Sequence, residues 1–312
     1  MKKIAILLAT YNGEEYIEEQ LNSIVCNISK LDQDRYHVDV MISDDASTDR
    51  TLEIINKLRE NYEYIHVIDF SKKGSAIDNF SFLIKNVPDD YDFYFFSDQD
   101  DFWLPHKLAI FLNEFESTDN SVPTLIHSDL SVVNNKLFPI NHSMFNFQKI
   151  NKHPNLYNLI LQNSITGCVM AINKPLLIKA RNSSIEKSIM HDWYLGLIAL
   201  AFGNVKFIDY PTILYRQHSN NEVGAKRFNY IYVLNRILNI RETICKIKYS
   251  LKKIDDQARL FISDFESQLK SEDERKINLF LSNSKLNRFL CFFYGFKKNG
   301  FVRNIAYILF IL

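Results

Sequence analysis

Two hydrophobic periods alternate along the first hundred residues. Short apolar runs, KIAILLA (3–9), HVDVMIS (37–43), YIHVIDF (64–70) and DFYFFS (92–97), are separated by segments whose apolar residues recur at helical spacing. In EYIEEQLNSIVCNI, for example, Ile17, Leu21, Ile24, Val25 and Ile28 share one face. RTLEIINKLREN and SAIDNFSFLIKNV read the same way, with Thr48 or Asp49 expected to cap the first of them. Near-continuous apolar runs belong to strands buried on both faces, and their alternation with helices predicts an α/β fold with a mostly parallel central sheet flanked by helices.

Beyond Trp103 the pattern is less regular. PHKLAIFLNEF predicts a helix with Pro105 in its first turn. TLIHSDLSVVN reads as a strand pair or an edge strand, NLYNLILQN as a helix leading into the strand SITGCVMAIN, and HDWYLGLIALAFG as another helix. KFIDYP and TILYRQH read as two short strands. From Phe228 helical patterns dominate, with no Gly or Pro before Gly295. The break between Gly224 and Phe228 divides the chain into a domain over 1–227 and a helical C-terminal extension over 228–312.

The polar clusters of the front half all follow strands: Thr10-Tyr11-Asn12-Gly13, Asp44-Asp45-Ala46-Ser47 and Ser97-Asp98-Gln99-Asp100-Asp101. The carboxyl edge of an open α/β sheet is where loops converge and ligands bind. The last cluster sets three acids at the tip of the aromatic run FYFF, where like charges repel. One of them, Asp101, is explained as the cap of the following helix. Asp98 and Asp100 remain, and two hard oxygens one residue apart on a turn suit Mg²⁺ or Mn²⁺. Asp45 and Tyr11 fall on the same edge and would suit a uracil or thymine base, the ring stacking and the carboxylate accepting from N3–H. Turn chemistry accounts for at least one of Asp44 and Asp45, and Tyr11 equally suits a packing role.

Composition adds two points. The 312 residues are 46% hydrophobic and 24% charged with a formal net charge of zero, which argues against a nucleic-acid binder acting through bulk electrostatics. Charge is nonetheless segregated: residues 228–312 hold 15 Lys/Arg against 8 Asp/Glu, and no acid follows Glu274. A basic, aromatic tail of this kind suits an anionic membrane surface. A lid over the preceding domain, or a dimer contact, are the competing expectations. The closing FVRNIAYILFIL is too short to span a bilayer, which needs about 20 apolar residues. MKKIAILLA reads as a first strand and not as a leader peptide. Four widely spaced cysteines fit a reducing cytoplasm.

Six segments in order, ATYNGEEYIEEQLNSI, ISDDASTDRTLEII, FFSDQDDFWLPHKL, NSITGCVMAIN, HDWYLGLIALAFG and YRQHSNN, resemble the family 2 glycosyltransferases of the GT-A (nucleotide-diphospho-sugar transferase) fold, and among them bacterial rhamnosyltransferases of surface polysaccharide synthesis. The resemblance spans about residues 3 to 225. It implies a nucleotide-binding half over 1–103 and an acceptor-binding half over 104–227. It implies that Ala9, Tyr11, Asp45 and Asp98 bind the nucleotide, that Asp100 and His218 hold Mn²⁺ or Mg²⁺, and that Asp192 is the general base. Gly167 is implied beside the acceptor, with Trp103, Trp193 and His191 as further sugar-side candidates. The implied partners are a nucleotide-sugar donor, dTDP-rhamnose first and a UDP-sugar second, and a saccharide acceptor, either free or on a lipid at the inner face of the cell membrane. Where the family often has Glu-Asp, this chain has His191-Asp192, as in the rhamnosyltransferase branch.

The residues themselves leave alternatives. Asp192 could be a helix N-cap, Trp103 and Trp193 could pack beneath the site, and His106, His127 and His191 suit structural roles. A dehydrogenase would show GxGxxG after the first strand, where this chain has TYNGEEY. A nucleotidyltransferase would show a Gly-rich basic loop there, and an aspartyl phosphatase would carry its DxD after the first strand and not the fourth. A non-catalytic nucleotide-sugar-binding or scaffold protein is the rival of a different class.

Overall fold

The computed structural model describes residues 1–218, 240–282 and 284–311. Its first half alternates as expected: β1 (Lys2–Thr10), α1 (Ile17–Ile28), β2 (Tyr36–Asp44), α2 (Thr51–Arg59), β3 (Ile65–Asp69), α3 (Ala76–Asn86) and β4 (Phe93–Ser97). There follow β5 (Phe102–Trp103), α4 (Lys107–Glu116), β6 (Thr124–Asn134), β7 (Pro139–Asn141), α5 (Met144–Gln148) and α6 (Leu156–Leu161). A 3₁₀ turn (Gly167–Val169) leads into β8 (Met170–Asn173), then α7 (Lys174–Arg181), α8 (His191–Phe202) and β9 (Asn204–Gln217). The tail folds as α9 (Ile240–Phe265), α10 (Ser271–Leu281), α11 (Lys285–Phe293) and α12 (Phe301–Ile311).

The strands form one mixed sheet in the order β3-β2-β1-β4-β8-β6-β9-β5, with β7 on β6. Pairs β1–β2, β1–β4, β2–β3 and β6–β9 are parallel, while β8 runs antiparallel between β4 and β6. The aromatic run of β4 is explained by this central position. Tyr94 and Phe96 enter the core on one face, Phe93 and Phe95 the core on the other, and all four are buried. Ala5 and Leu7 against Ile4, Ile6 and Leu8 divide in the same way on β1.

Three elements differ from expectation. TLIHSDLSVVN is one long strand inside the sheet, not an edge. Ser128 and Asp129 are buried but paired: Asp129 accepts from the amides of Leu130 (2.8 Å) and Met144 (3.1 Å), and Ser128 bonds Thr212 (2.7 Å). His127 is buried against the rings of Phe145 and Phe207, with no hydrogen-bond partner among the described residues. KFIDYP and TILYRQH are a single strand, in which Pro211 coincides with a register shift opposite Asp129. The helix expected to hold Pro105 in its first turn starts only at Lys107, after His106 in a left-handed conformation (φ 71°).

The expected boundary at 227/228 lies outside the described residues. The helices after it share a core with the preceding domain. Phe261 meets Tyr194 edge-on at 5.9 Å, Phe265 meets Phe202 at 5.3 Å, and the Tyr194 hydroxyl donates to Asp264 at 2.6 Å. Among the described residues no helix is long and apolar enough to cross a membrane. Leu286, Leu290 and Phe293 on α11, and Phe301, Ile305 and Leu309 on α12, are exposed.

Candidate active site

The carboxyl ends of β1, β2 and β4 and the first turn of α8 open onto one pocket of about 840 Å³. Its lining includes Ala9, Tyr11, Asp45, Asp98, Asp100, Gly167, His191, Asp192 and Trp193. The sequence scattered these residues over nearly two hundred positions, and the sheet edge gathers them.

On the β1–β2 side, two strand-end loops are laced together. The Asn12 amide donates to Ser47 Oγ (2.8 Å), the Thr48 amide to Asn12 Oδ1 (2.8 Å) and the Gly13 amide to Thr51 Oγ1 (2.7 Å). Asn12 (φ 45°) and Ala46 (φ 56°) take left-handed conformations here, a strain that such bonding sustains. Asp44 is absorbed by the turn, accepting from Thr10 Oγ1 (2.7 Å) and from the Ser47 amide (2.7 Å) and hydroxyl (2.6 Å). Asp45 instead faces the pocket and receives the Gly74 amide on both oxygens (2.9 Å each) and the Lys73 amide. Tyr11 is half exposed at the mouth. Gln99, which sequence reasoning passed over, grips its backbone from both sides: the Tyr11 amide donates to Oε1 (2.7 Å) and Nε2 donates to the Tyr11 carbonyl (2.8 Å).

The three acids of the β4 tip part company. Asp100 Oδ2 lies 2.8 Å from His218 Nε2, so two candidates 118 positions apart meet directly. Asp98 turns the other way: one ligand atom each of Asp98, Asp101 and Cys168 lies within 4.8 Å of the others. Asp101 is fully buried, accepts from the Arg216 amide (3.2 Å), and caps no helix, contrary to expectation. Burial, then the charges of Asp100 and Asp98, push its carboxyl well above the usual range. Arg216 binds the turn from behind, donating to the Asp100 carbonyl at 2.9 Å and pairing with Glu19.

The Asp100 carboxylate at the pocket wall and the His218 imidazole bonded to it fit a hard or borderline divalent ion, and the Asp101 Oδ2 atom is buried without a hydrogen-bond partner among the described residues. The clustering of mutually repelling oxygens is the physical sign of a place built for positive charge.

Trp103 does not reach a sugar. It is 1% exposed, and the Lys107 ammonium stands 3.7 Å from its ring centroid while donating to the Cys168 carbonyl (2.8 Å). Its packing reading is the correct one, because a two-residue strand on β9 turns the side chain inward. Trp193 lines the pocket, with its indole N–H donating to the Leu159 carbonyl at 2.5 Å.

Asp192 occupies the second position of α8, not the N-cap, which is Met190. Its Oδ1 accepts from Asn163 Nδ2 (3.1 Å) and its own neighbour's amide at Trp193 (2.5 Å), and its Oδ2 accepts from the Gly167 amide (3.0 Å). Burial raises its pKa to about 7, outweighing those three donors. Beside it, His191 stacks on Phe80 (4.0 Å) and Phe96 (5.5 Å), and burial lowers its pKa to about 3, leaving the ring neutral. Gly167 is required next to them, since a Cβ there would sit 2.8 Å from His191 Nε2.

The sequence model described as "Glycosyl transferase family 2" matches residues 5–187. The chain belongs to this family. The dTDP-rhamnosyl transferase RfbG of Shigella flexneri is 34% identical to this family 2 glycosyltransferase over 229 residues, covering 70% of the chain and 74% of the relative. Among solved structures, the 1–349 segment of S. aureus TarS in complex with UDP-GlcNAc aligns with a TM-score of 0.56 at 17% identity over 93% of this chain and 84% of that one. GalNAc-T7 with UDP, GalNAc and Mn²⁺ aligns with a TM-score of 0.53 at 10% identity over 70% of this chain and 45% of that one. These structures share the GT-A fold with the chain, as the resemblance of its six segments implied.

Proposed function

We propose that this family 2 glycosyltransferase moves a sugar from a nucleotide-diphosphate donor to a saccharide acceptor by single displacement, inverting the anomeric centre. One observation carries the reading: Asp192, a buried carboxylate with a pKa near 7, lines the same pocket as Asp100, whose carboxylate meets His218 at 2.8 Å. An acceptor hydroxyl is a poor nucleophile until its proton is removed, and a base poised near neutrality suits that task. Asp192 takes the proton while the Gly167 and Trp193 amides and Asn163 hold its carboxylate in place.

At the other end Asp45, Ala9 and Tyr11 hold the base and ribose, with the Tyr11 loop fixed by Gln99. Asp98 is read as a further nucleotide contact, and Asp100 and His218 would hold Mn²⁺ or Mg²⁺, which would supply Lewis-acid neutralisation of the departing diphosphate. His191 and Trp193 border the sugar side. dTDP-rhamnose is the first candidate donor, supported by the 34% identity to a protein named for that donor, and a UDP-sugar the second. The acceptor is read as a saccharide on a lipid, with the basic tail lying on the inner face of the cell membrane.

A panel of nucleotide sugars incubated with the protein and Mn²⁺ tests this by nucleotide diphosphate release. Turnover confined to one or two donors, abolished in Asp192→Asn, is the expected result. A folded protein that turns over no donor would leave the scaffold reading in its place.

A further inference from the structure

A second, smaller cavity of about 100 Å³ lies where residues 297–299 fold against α6. The segment is fixed there by the catalytic domain. Asn158 Nδ2 donates to the carbonyls of Gly295 (2.9 Å) and Lys297 (3.2 Å), the Asn299 amide donates to Gln162 Oε1 (2.9 Å), and Arg303 donates to the carbonyls of Gln148 (2.6 Å) and Lys149 (2.5 Å). Ser164 stands in the wall shared with the main pocket. It is 4% exposed, and its hydroxyl has no hydrogen-bond partner among the described residues. A buried polar atom without a partner calls for something that is to occupy the space beside it.

The charge around this cavity is one-sided. Lys298 is half-buried, and its ammonium makes no ion pair among the described residues. Burial and the Arg303 guanidinium both hold its pKa below the ordinary lysine value, so a nearby anion would relieve it. The other polar groups around the cavity, Asn151, Asn158, Gln162 and Asn299, are neutral. Cations, amides and a hydroxyl with no carboxylate select an oxyanion. At about 30 Å³ per water molecule in the liquid, the space takes a phosphate-sized group and a water or two, and no nucleotide.

We infer that this cavity binds the phosphate of an anionic acceptor, whose sugar end passes Ser164 into the main pocket. The inference rests on reading that pocket as a glycosyl-transfer site. Ser164 follows Asn163, which holds Asp192 through its side chain at 3.1 Å, so an acceptor anchored at Ser164 is delivered beside the base. The phosphate could belong to a soluble sugar phosphate or to the diphosphate of a lipid carrier.

Calorimetry on the full chain, with Mg²⁺ and nucleoside diphosphate saturating the donor site, tests it with phenyl phosphate and with citronellyl diphosphate as probes. Both should bind the wild type, with Lys298→Gln weakening binding at least about tenfold, Ser164→Ala weakening it several-fold and Lys298→Arg retaining most of it. Tighter binding of the isoprenoid diphosphate would indicate a lipid-carried phosphate, and equal binding a soluble one; either supports the site. Absence of binding of both probes to the wild type, or unchanged binding in Lys298→Gln, would overturn it. So would a Lys298 dependence seen only with phosphatidylglycerol vesicles, which would make the residue a headgroup contact. Thermal melts confirm that each variant folds. Wild-type donor hydrolysis, measured separately, tells the two readings apart: hydrolysis without phosphate binding defeats only this inference, and phosphate binding without hydrolysis defeats the transferase reading.

Discussion

The Gly167 amide donates to Asp192 Oδ2 at 3.0 Å, tying the turn before β8 to the first turn of α8. The bond joins the two sequence segments in which the acceptor side was expected, and it helps set the protonation of the carboxylate. Three N–H donors pull the Asp192 pKa down, and burial raises it further, to about 7. The base form is the ionised one, so kcat should climb about tenfold per pH unit below about 7 and level off above it. Asp192→Asn should lower kcat by about 10²–10⁴ and abolish that limb. A pH profile of initial rates decides; a wild-type rate that is flat from pH 5.5 to 8 would remove Asp192 from the role.

Gly167→Ala tests the same bond from the other side. The added Cβ would stand 2.8 Å from His191 Nε2 and 3.8 Å from Asp192 Cβ. His191 cannot retreat, being stacked on Phe80 at 4.0 Å, so the turn must move and the amide withdraw from Asp192. Loss of a donor to the ionised form raises a carboxyl pKa. The acidic limb should therefore move upward, with kcat down about 10–100-fold and the fold intact by circular dichroism. A lower kcat with an unmoved limb would mean that the amide holds the turn without tuning the base.

Much of this arrangement is legible in the letters because buried parallel strands and their C-terminal clusters leave strong marks. The FYFF run reads as a central strand since both of its faces are buried, and the acids after it fall at the sheet edge. What misleads is polarity taken as exposure. His127, Ser128, Asp129 and Ser131 made β6 look like an edge, yet the last three find hydrogen-bond partners on α5, β9 and the chain after β7, and His127 packs on the rings of Phe145 and Phe207, which no local pattern shows. Asp101 looked like a cap for the same reason: the chain enters β5 before α4 starts, and the acid is carried inward beside Cys168. Gln99 and Lys107 left no signal, because their roles consist of contacts with Tyr11 and Cys168 that only folding creates.

His218 and Asp100 make a second pair open to measurement. If both serve a divalent ion, His218→Ala should raise the Mn²⁺ concentration for half-maximal donor turnover about 10–100-fold, with recovery at excess metal. Asp100→Ala removes a charged ligand and also leaves His218 without its 2.8 Å partner, so its loss of more than about 10² in rate should resist added Mn²⁺. Manganese titrations of both variants, with donor saturating, give the comparison. Identical metal curves for wild type and His218→Ala would assign the imidazole to packing against Tyr16, whose ring lies 5.0 Å away.

The last pair of helices carries the membrane proposal. On α11 the exposed Leu286, Leu290 and Phe293 follow at i, i+4 and i+7, and on α12 Phe301, Ile305 and Leu309 follow at i, i+4 and i+8, so each helix presents an apolar stripe to solvent. Burying one large apolar side chain contributes roughly 1.5–3 kcal/mol, and each basic residue near an anionic surface about 1 kcal/mol. A triple substitution Phe293→Ser, Phe301→Ser, Leu309→Ser should therefore abolish flotation with phosphatidylglycerol vesicles. Wild-type flotation should also weaken on neutral phosphatidylcholine and at high salt, because Lys285 and Lys297 lose their attraction there. The substituted side chains are exposed, so donor turnover in detergent-free buffer should not change. If the wild type stays at the bottom of the gradient and sediments as a dimer that the triple variant converts to monomer, the stripes meet a second copy of the chain and the membrane reading fails.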